Sequence, residues 1–312
     1  MKRRLLLWVG VISTLSLYSN DKDTTYWKNN LKTGINFNQT SFSDNWKGGG
    51  DRSIAVSGLL LGKASYNKDK TDWVTQMDFQ YGRVRSGDQK QSRKSQDKMM
   101  IDTKIGYRLN SDWNAFSSLS FLSQFDNGLE YVDTLSTPLK KSGFLAPAYI
   151  TSTWGVEYKP GDAFYVRISP FSPRITIVND TSLYRNIPEN YGVKPGEKIR
   201  YEWKAFKMTA NYEKEIVENI SIKADYELFG NVEDFTFDKI DHRLDLILTA
   251  KIYKFLNLTI LSNFIKDLDQ VVLEDRVDNG VLTEKEKKWQ SSIQIGLSFL
   301  FSYSNIPPAP PK

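Results

Sequence analysis

Ser292-Ile293-Gln294-Ile295-Gly296-Leu297-Ser298-Phe299-Leu300-Phe301-Ser302 puts Ile293, Ile295, Leu297, Phe299 and Phe301 on one face of an extended chain. Ser292, Gln294, Gly296, Ser298 and Ser302 fall on the other, and Leu300 is the single apolar residue out of phase. A period of two marks a β-strand with one face in an apolar medium. The same pattern recurs upstream. Leu256, Leu258, Ile260 and Phe264 alternate with Asn257, Thr259 and Asn263. Leu244, Leu246, Leu248, Ala250 and Ile252 oppose Arg243, Asp245, Thr249 and Lys251, and Ile220, Ile222, Ala224, Tyr226 and Leu228 oppose Ser221, Lys223, Asp225 and Glu227. Ile101, Ile105 and Tyr107 oppose Asp102, Lys104 and Arg108, and Trp73, Met77 and Phe79 oppose Gln76, Asp78 and Gln80.

The gaps between these stretches alternate in length. Short ones fall at Asn67–Lys70, Asn110–Ser111, Pro160–Gly161, Lys214–Glu215 and Lys254–Phe255. Long ones fall at Trp46–Arg52, Ser86–Gln96, Asp126–Pro147, Val178–Ile199, Asn231–Lys239 and Asp269–Trp289. Tight turns at one rim and long loops at the other are the asymmetry of an outer-membrane barrel. A soluble sandwich also alternates, but its strands run about 5–6 residues, whereas these run about 12–15, enough to cross a membrane that needs about 9–11. Aromatics cluster near the short turns (Tyr66, Trp73, Trp113, Tyr158, Phe164, Tyr212, Tyr253, Phe255) and near the long loops (Phe125, Trp154, Trp203, Phe229, Trp289). Such paired girdles sit at the two membrane interfaces.

The expected fold is therefore an all-β, up-and-down antiparallel transmembrane barrel of about 12 strands, with 10–14 compatible with the pattern. The strands are expected at 31–45, 53–66, 71–85, 97–109, 112–125, 148–159, 162–177, 200–213, 216–230, 240–253, 256–268 and 290–303. Pro170 and Pro173 interrupt the seventh. The barrel spans residues 31–303, preceded by a periplasmic segment at 20–30 and followed by a Pro-rich periplasmic tail at 304–312. An even strand count puts both ends in the periplasm.

Residues 1–19 read as a signal peptide, since Lys2, Arg3 and Arg4 precede an apolar run too short to span a bilayer. Cleavage after Ser16 or after Ser19 stays open. Those three residues account for three of the net +5 charges, leaving +2, so the basic balance gives no support to nucleic-acid binding. The absence of cysteine excludes disulfides and thiolate metal sites.

The last strand, Gln294, Gly296, Phe299 and Phe301 in particular, resembles the C-terminal signal by which outer-membrane barrels are recognised by their assembly machinery. Here Ser304–Lys312 follows it, where many barrels end on the aromatic. Near the N-terminus, Asn38-Gln39, Phe42-Ser43, Asn45-Trp46 and Gly48-Gly49, preceded by Trp27, resemble the start of a Bacteroidota outer-membrane family with a domain of unknown function. That resemblance implies a barrel and brings no activity.

Little else points to chemistry. His242 is the sole histidine; in the outer-membrane phospholipases the nucleophile lies two residues beyond, and here that position is Leu244. No catalytic, cofactor or metal site is expected. Asp267, Asp269, Glu274, Asp275 and Asp278 match no calcium-loop spacing and read as a solvated loop. With the apolar face toward lipid, the lumen receives Lys63, Asp78, Asp102, Lys104, Arg108, Glu157, Arg167, Lys207, Lys223, Asp225, Glu227, Arg243, Asp245 and Lys251. Their mixed signs suit ion pairs that close a narrow lumen better than a selective pore. The expected function is a non-enzymatic structural or accessory component of an envelope assembly, with a channel for small hydrophilic solutes as the alternative and a lipid-modifying enzyme the weakest. Expected partners are outer-membrane lipid, the barrel assembly machinery and other envelope proteins.

Overall fold

The computed structural model describes residues 26–40, 52–87, 89, 91–131, 137–186, 190–233, 236–267, 272–278, 281–287 and 289–305. The signal-like segment, Trp46, Gly48-Gly49 and the Pro-rich tail lie outside the described residues. The strands are β1 (Trp27–Thr40), β2 (Ser53–Lys68), β3 (Thr71–Ser86), β4 (Arg93–Arg108), β5 (Trp113–Ser123), β6 (Gly128–Glu130), β7 (Leu139–Ser142), β8 (Ala148–Tyr158), β9 (Phe164–Phe171) and β10 (Arg174–Ile177). They continue as β11 (Ile199–Glu202), β12 (Ala205–Val217), β13 (Ile220–Asn231), β14 (Asp241–Lys251), β15 (Leu256–Lys266), β16 (Val272–Asp278), β17 (Val281–Lys287) and β18 (Trp289–Ser304).

Twelve of them close a ring. Antiparallel ladders run β1-β2-β3-β4-β5-β8-β9-β12-β13-β14-β15-β18 and return to β1. At the seam β1 pairs with β18 from Asn30↔Ser304 to Phe37↔Leu297. Beyond it, the Asn29 amide donates to Asn305 Oδ1 at 2.6 Å, so both ends of the barrel chain meet at the short-turn rim. Closure removes the open edge that a cysteine-free sheet would otherwise present. No helix among the described residues is long and apolar enough to cross a membrane.

The seventh and eighth wall strands are each kinked. The β9–β12 register (Lys207↔Ser169) and the β10–β11 register (Arg174↔Glu202) lie on one continuous ladder. Pro170 and Pro173 cannot donate to it, and Ser172 N–H rejoins it by donating to Ala205 O at 2.7 Å. On the other side β8 follows both halves, with a bulge between Trp154 and Val156. Gly155 sits at that bulge, where a Cβ would strike the Ile168 carbonyl and the Ser169 backbone. Gly155→Val should therefore destabilise the barrel by about 1–3 kcal/mol, read from urea midpoints in detergent, and an unchanged midpoint would mean that the bulge relaxes freely.

Several boundaries differ from the sequence expectation. β1 starts at Trp27, so residues 27–30, expected in a periplasmic segment, belong to the wall; Trp27 packs on Tyr66 and Trp73 at centroid distances of 5.3 and 5.9 Å. β4 starts at Arg93, inside the loop expected to reach Gln96. The turn expected at Lys214–Glu215 falls at Glu218–Asn219, because Asn219 takes the left-handed φ of 67° that the turn needs. Lys214 and Glu215 instead pair with Ile222 and Ser221. Two long loops carry added hairpins, β6–β7 and β16–β17.

The outer wall is apolar. Ile35, Ile105, Leu119, Ile168, Ile293 and Ile295 are all exposed, at 50–61%, which in water would be an unmanageable surface and in lipid is the expected one. At the short-turn rim, aromatics contact one another in small groups: Tyr26, Trp27, Tyr66 and Trp73 in one, Trp113 and Tyr158 in another, Tyr253 and Phe255 in a third. Phe125 on Phe79 and the stacked Tyr201–Trp203 pair lie toward the long-loop rim.

Candidate functional site: a pinched and capped lumen

β4 and β14 are six places apart in a ring of twelve, so they face each other across the lumen. Yet Lys98 Nζ on β4 lies 3.0 Å from Asp245 Oδ2 on β14. A circular ring of twelve tilted strands would be roughly 24 Å wide between backbones. A lysine and an aspartate in contact span at most roughly 13 Å between Cα atoms. The barrel is therefore oval, pinched between these strands. Asp78 also holds Lys98, at 2.9 Å, and Arg243 Nε reaches Asp245 at 3.3 Å. Nearer the short-turn rim a longer contact, Lys32 to Glu213 at 3.7 Å, again joins well-separated strands, β1 and β12.

The pinch divides the interior unevenly. On the β2-β1-β18-β15 side the lumen is packed: Leu59, Leu61, Leu261 and Leu300 point inward by strand parity, and Ser57, Ser298 and Thr259 are buried. Leu300 fills the space over Gly34, where no side chain competes. On the other side, β3–β5, β8–β10 and β12–β15 line a cavity of about 390 Å³.

A tight ion cluster floors that cavity toward the short turns. Glu157, 1% exposed, accepts from Lys104 at 2.7 Å, Arg167 Nε at 2.7 Å and Asn114 Nδ2 at 3.1 Å. Lys104 also reaches Asp72 at 2.9 Å, and Arg167 lies 3.9 Å from Asp102 and stacks over Tyr165 at 4.4 Å. Every charge in the cluster has an opposite neighbour, the condition under which buried ions are tolerated. Higher up, Arg174 bridges Glu202 (2.8 Å) and Asp241 (3.3 Å) and lies over the Phe229 ring at 3.6 Å.

The roof is built from two long loops. Ala146, Val178, Leu183, Tyr191 and Val193 form a small buried core between residues 137–147 and 178–198. Tyr191 donates its hydroxyl to Lys141 O at 2.8 Å, and Asn186 Nδ2 donates to Lys140 O at 2.7 Å. Lys140 pairs with Asp180 at 2.8 Å; this bond and those from Ser182 hold the Asp180 carboxyl down at about 2. A depressed acid stabilises the fold above its ordinary titration range and loses that contribution progressively as pH falls from that range through about 2. The roof pair is thus intact at any physiological pH. Tyr191, Ser142 and Pro147 form part of the cavity lining.

The charges expected inside all lie on inward-facing positions, but their pairing differs from the expectation. Asp225 and Asp245, expected to meet opposite charges across the β13–β14 ladder, stand directly opposite each other. Each is neutralised along its own strand instead, Asp225 by Lys223 at 2.9 Å and Asp245 by Arg243. Glu227 pairs with Lys207 of β12 at 2.9 Å. Arg108 and Lys251 sit at the short-turn rim, Arg108 bonding Asn67 Oδ1 at 3.3 Å, so neither belongs to the barrier. Sequence reading missed Lys98, Asp72, Arg174, Glu202 and Asp241, and it missed the apolar half of the interior. His242 faces outward: its Nδ1 lies 2.7 Å from the Tyr226 hydroxyl and its ring 5.8 Å from that of Trp289. Gln294 and Gly296 face in, while Phe299 and Phe301 face out and stack on Phe255, each at 6.3 Å. No metal-holding group of His, Asp and Glu occurs among the described residues.

A family model described as "Protein of unknown function (DUF3078)" matches residues 37–129. No curated protein matches the sequence. Among solved structures, an outer membrane channel from Pseudomonas putida F1 aligns over 92% of this chain and 100% of its own, at 10% identity and a TM-score of 0.38. The translocator domain of the autotransporter NalP from Neisseria meningitidis aligns over 89% and 90%, at 7% identity and a TM-score of 0.34. A FadL homologue from Pseudomonas aeruginosa aligns over 89% of each chain, at 8% and 0.29. At these scores the likeness carries no argument about function. The fold, a closed twelve-stranded antiparallel barrel of the outer-membrane type, stands on its own ladders.

Proposed function

We propose that this protein is a closed, non-catalytic barrel of a Gram-negative outer membrane, serving as a structural or accessory component of an envelope assembly. Its roof faces outward and its chain ends face the periplasm, as the short-turn rim does in such barrels. The partners of this reading are outer-membrane lipid, the assembly machinery that would engage the last strand, and other envelope proteins. The observation that carries it is the Lys98–Asp245 contact across the full lumen, flanked by a saturated ion cluster below and a folded roof above. An open pore leaves its charges hydrated and of one dominant sign; here they neutralise one another.

Single-channel recording in planar bilayers tests this. The native protein should show no steady conductance, and Asp225→Ala combined with Asp245→Ala should show a measurable leak, because Lys98 and Arg243 lose Asp245, Lys223 loses Asp225, and water must enter to solvate them. Large, steady channels from the unmutated protein would overturn the closed reading. The cavity itself favours a second reading, a channel for small hydrophilic solutes whose roof and ion pairs yield in turn.

A further inference from the structure

We infer that the roofed cavity is a binding chamber for an uncharged polyhydroxyl molecule of about disaccharide size. Its volume of about 390 Å³ lies within the usual range of small-ligand sites, about 300–1,000 Å³. The inference rests on the closed-barrel reading.

The lining sets the ligand class. Ser118, Ser120, Thr153 and Thr209 project hydroxyls into the chamber from three different wall strands, alongside the Tyr165 ring. Ser118 and Thr153 bond to each other and Ser120 donates to Thr151 O at 3.4 Å, which leaves acceptor positions on these hydroxyls for a ligand's O–H groups. The Tyr165 face that Arg167 does not cover suits the C–H face of a saturated ring. The charges nearest them, Asp102 with Arg167, Lys207 with Glu227 and Lys223 with Asp225, are already paired. An ion of either sign would have to break a pair and strand its partner, at the heavy cost of an uncompensated buried charge. A neutral ligand rich in O–H groups breaks none. It can accept from the unused N–H positions of paired arginines and donate to paired carboxylates.

Calorimetry on the full chain decides this, in a polyoxyethylene detergent so that no sugar headgroup competes. Maltose, sucrose and lactose are the neutral probes and glucose 6-phosphate the charged one. At least one disaccharide should bind with one-to-one stoichiometry and at least about tenfold more tightly than the phosphate. Ser120→Phe, which fills the chamber, should weaken that binding at least about tenfold while conductance stays at zero. Absence of binding by all three sugars overturns the inference, as does binding that Ser120→Phe leaves unchanged or tighter binding of the phosphate. If Ser120→Phe loses the heat-resistant gel form, Ser120→Cys takes its place, since the chain has no other cysteine. The sugar must then slow modification of that thiol by a small methanethiosulfonate reagent, and an unchanged rate overturns the inference. Conductance reports on the seal and calorimetry on the chamber, so failure of one reading is distinguishable from failure of the other.

Discussion

Glu157→Ala should cost the folded barrel about 3–5 kcal/mol, the toll of leaving buried cations without their counter-charge. Glu157 is 1% exposed and takes both Lys104 and Arg167 at 2.7 Å. Asp72 and Asp102 would remain, but Asp102 is 3.9 Å from Arg167 and cannot replace a direct charge-assisted bond. Urea unfolding in detergent, followed by tryptophan fluorescence, measures the loss. The combined change Glu157→Leu, Lys104→Met and Arg167→Leu with Asp72→Asn and Asp102→Asn should recover most of it, because it removes the five charges together. A Glu157→Ala loss below about 1 kcal/mol, the range of solvent-exposed pairs, would mean that water already solvates the cluster. The floor would then be open, and the closed-barrel reading would fail with it.

The wall was legible in the sequence because lipid imposes a rule on every second residue. Ile293 through Phe301 needed no partner strand to be assigned a face, and the alternating gap lengths ordered the strands around the ring. The break in the seventh strand also followed from residues: Pro170 and Pro173 interrupt hydrogen bonding without ending the strand, and the ladder resumes at Arg174 in the same register. The matching break in the eighth, between Glu202 and Ala205, did not. Turn positions were less legible where polar residues continue a strand. Lys214 and Glu215 look like a turn, yet Asn219 alone supplies the left-handed backbone that closes it.

The interior was legible as a list and not as a map. Strand parity places Asp245 inside, but no local pattern says that a lysine 147 positions away crosses the lumen to meet it. That contact depends on the pinch, which is a property of the whole ring. The apolar half of the interior was hidden for a different reason. Leu59-Leu60-Leu61 breaks the alternation, so its inward members cannot be told from its outward one, and Leu300 read as an exception although Gly34 opposite makes room for it. The roof core was invisible because its members, Ala146, Val178, Leu183, Tyr191 and Val193, come from two loops with no shared period.

Ile295→Arg should lower equilibrium stability by about 2–4 kcal/mol, the depth-dependent cost of a cation on the lipid face near the midplane. Ile295 lies mid-way along β18, faces outward at 51% exposure and pairs with Ile260, another residue of the same band. Phe301→Asp should behave differently. Phe301 sits close to the short-turn rim, where headgroups and water can solvate a carboxylate, so the equilibrium cost is smaller. It is also one of the two outward aromatics of the assembly-signal-like ending, so insertion in cells should fall sharply even where refolding in detergent is mild. Ser302→Asp is the inward control: it stands opposite Lys32 on β1, where an added carboxylate has a cation beside it. Heat-modifiable gel migration of the purified variants gives the refolded fraction, and outer-membrane yield gives insertion. The expected order of stability loss is Ile295→Arg, then Phe301→Asp, then Ser302→Asp near zero. Equal losses at 301 and 302 would place the lipid face of β18 on the wrong side, and with it the register of the closing seam.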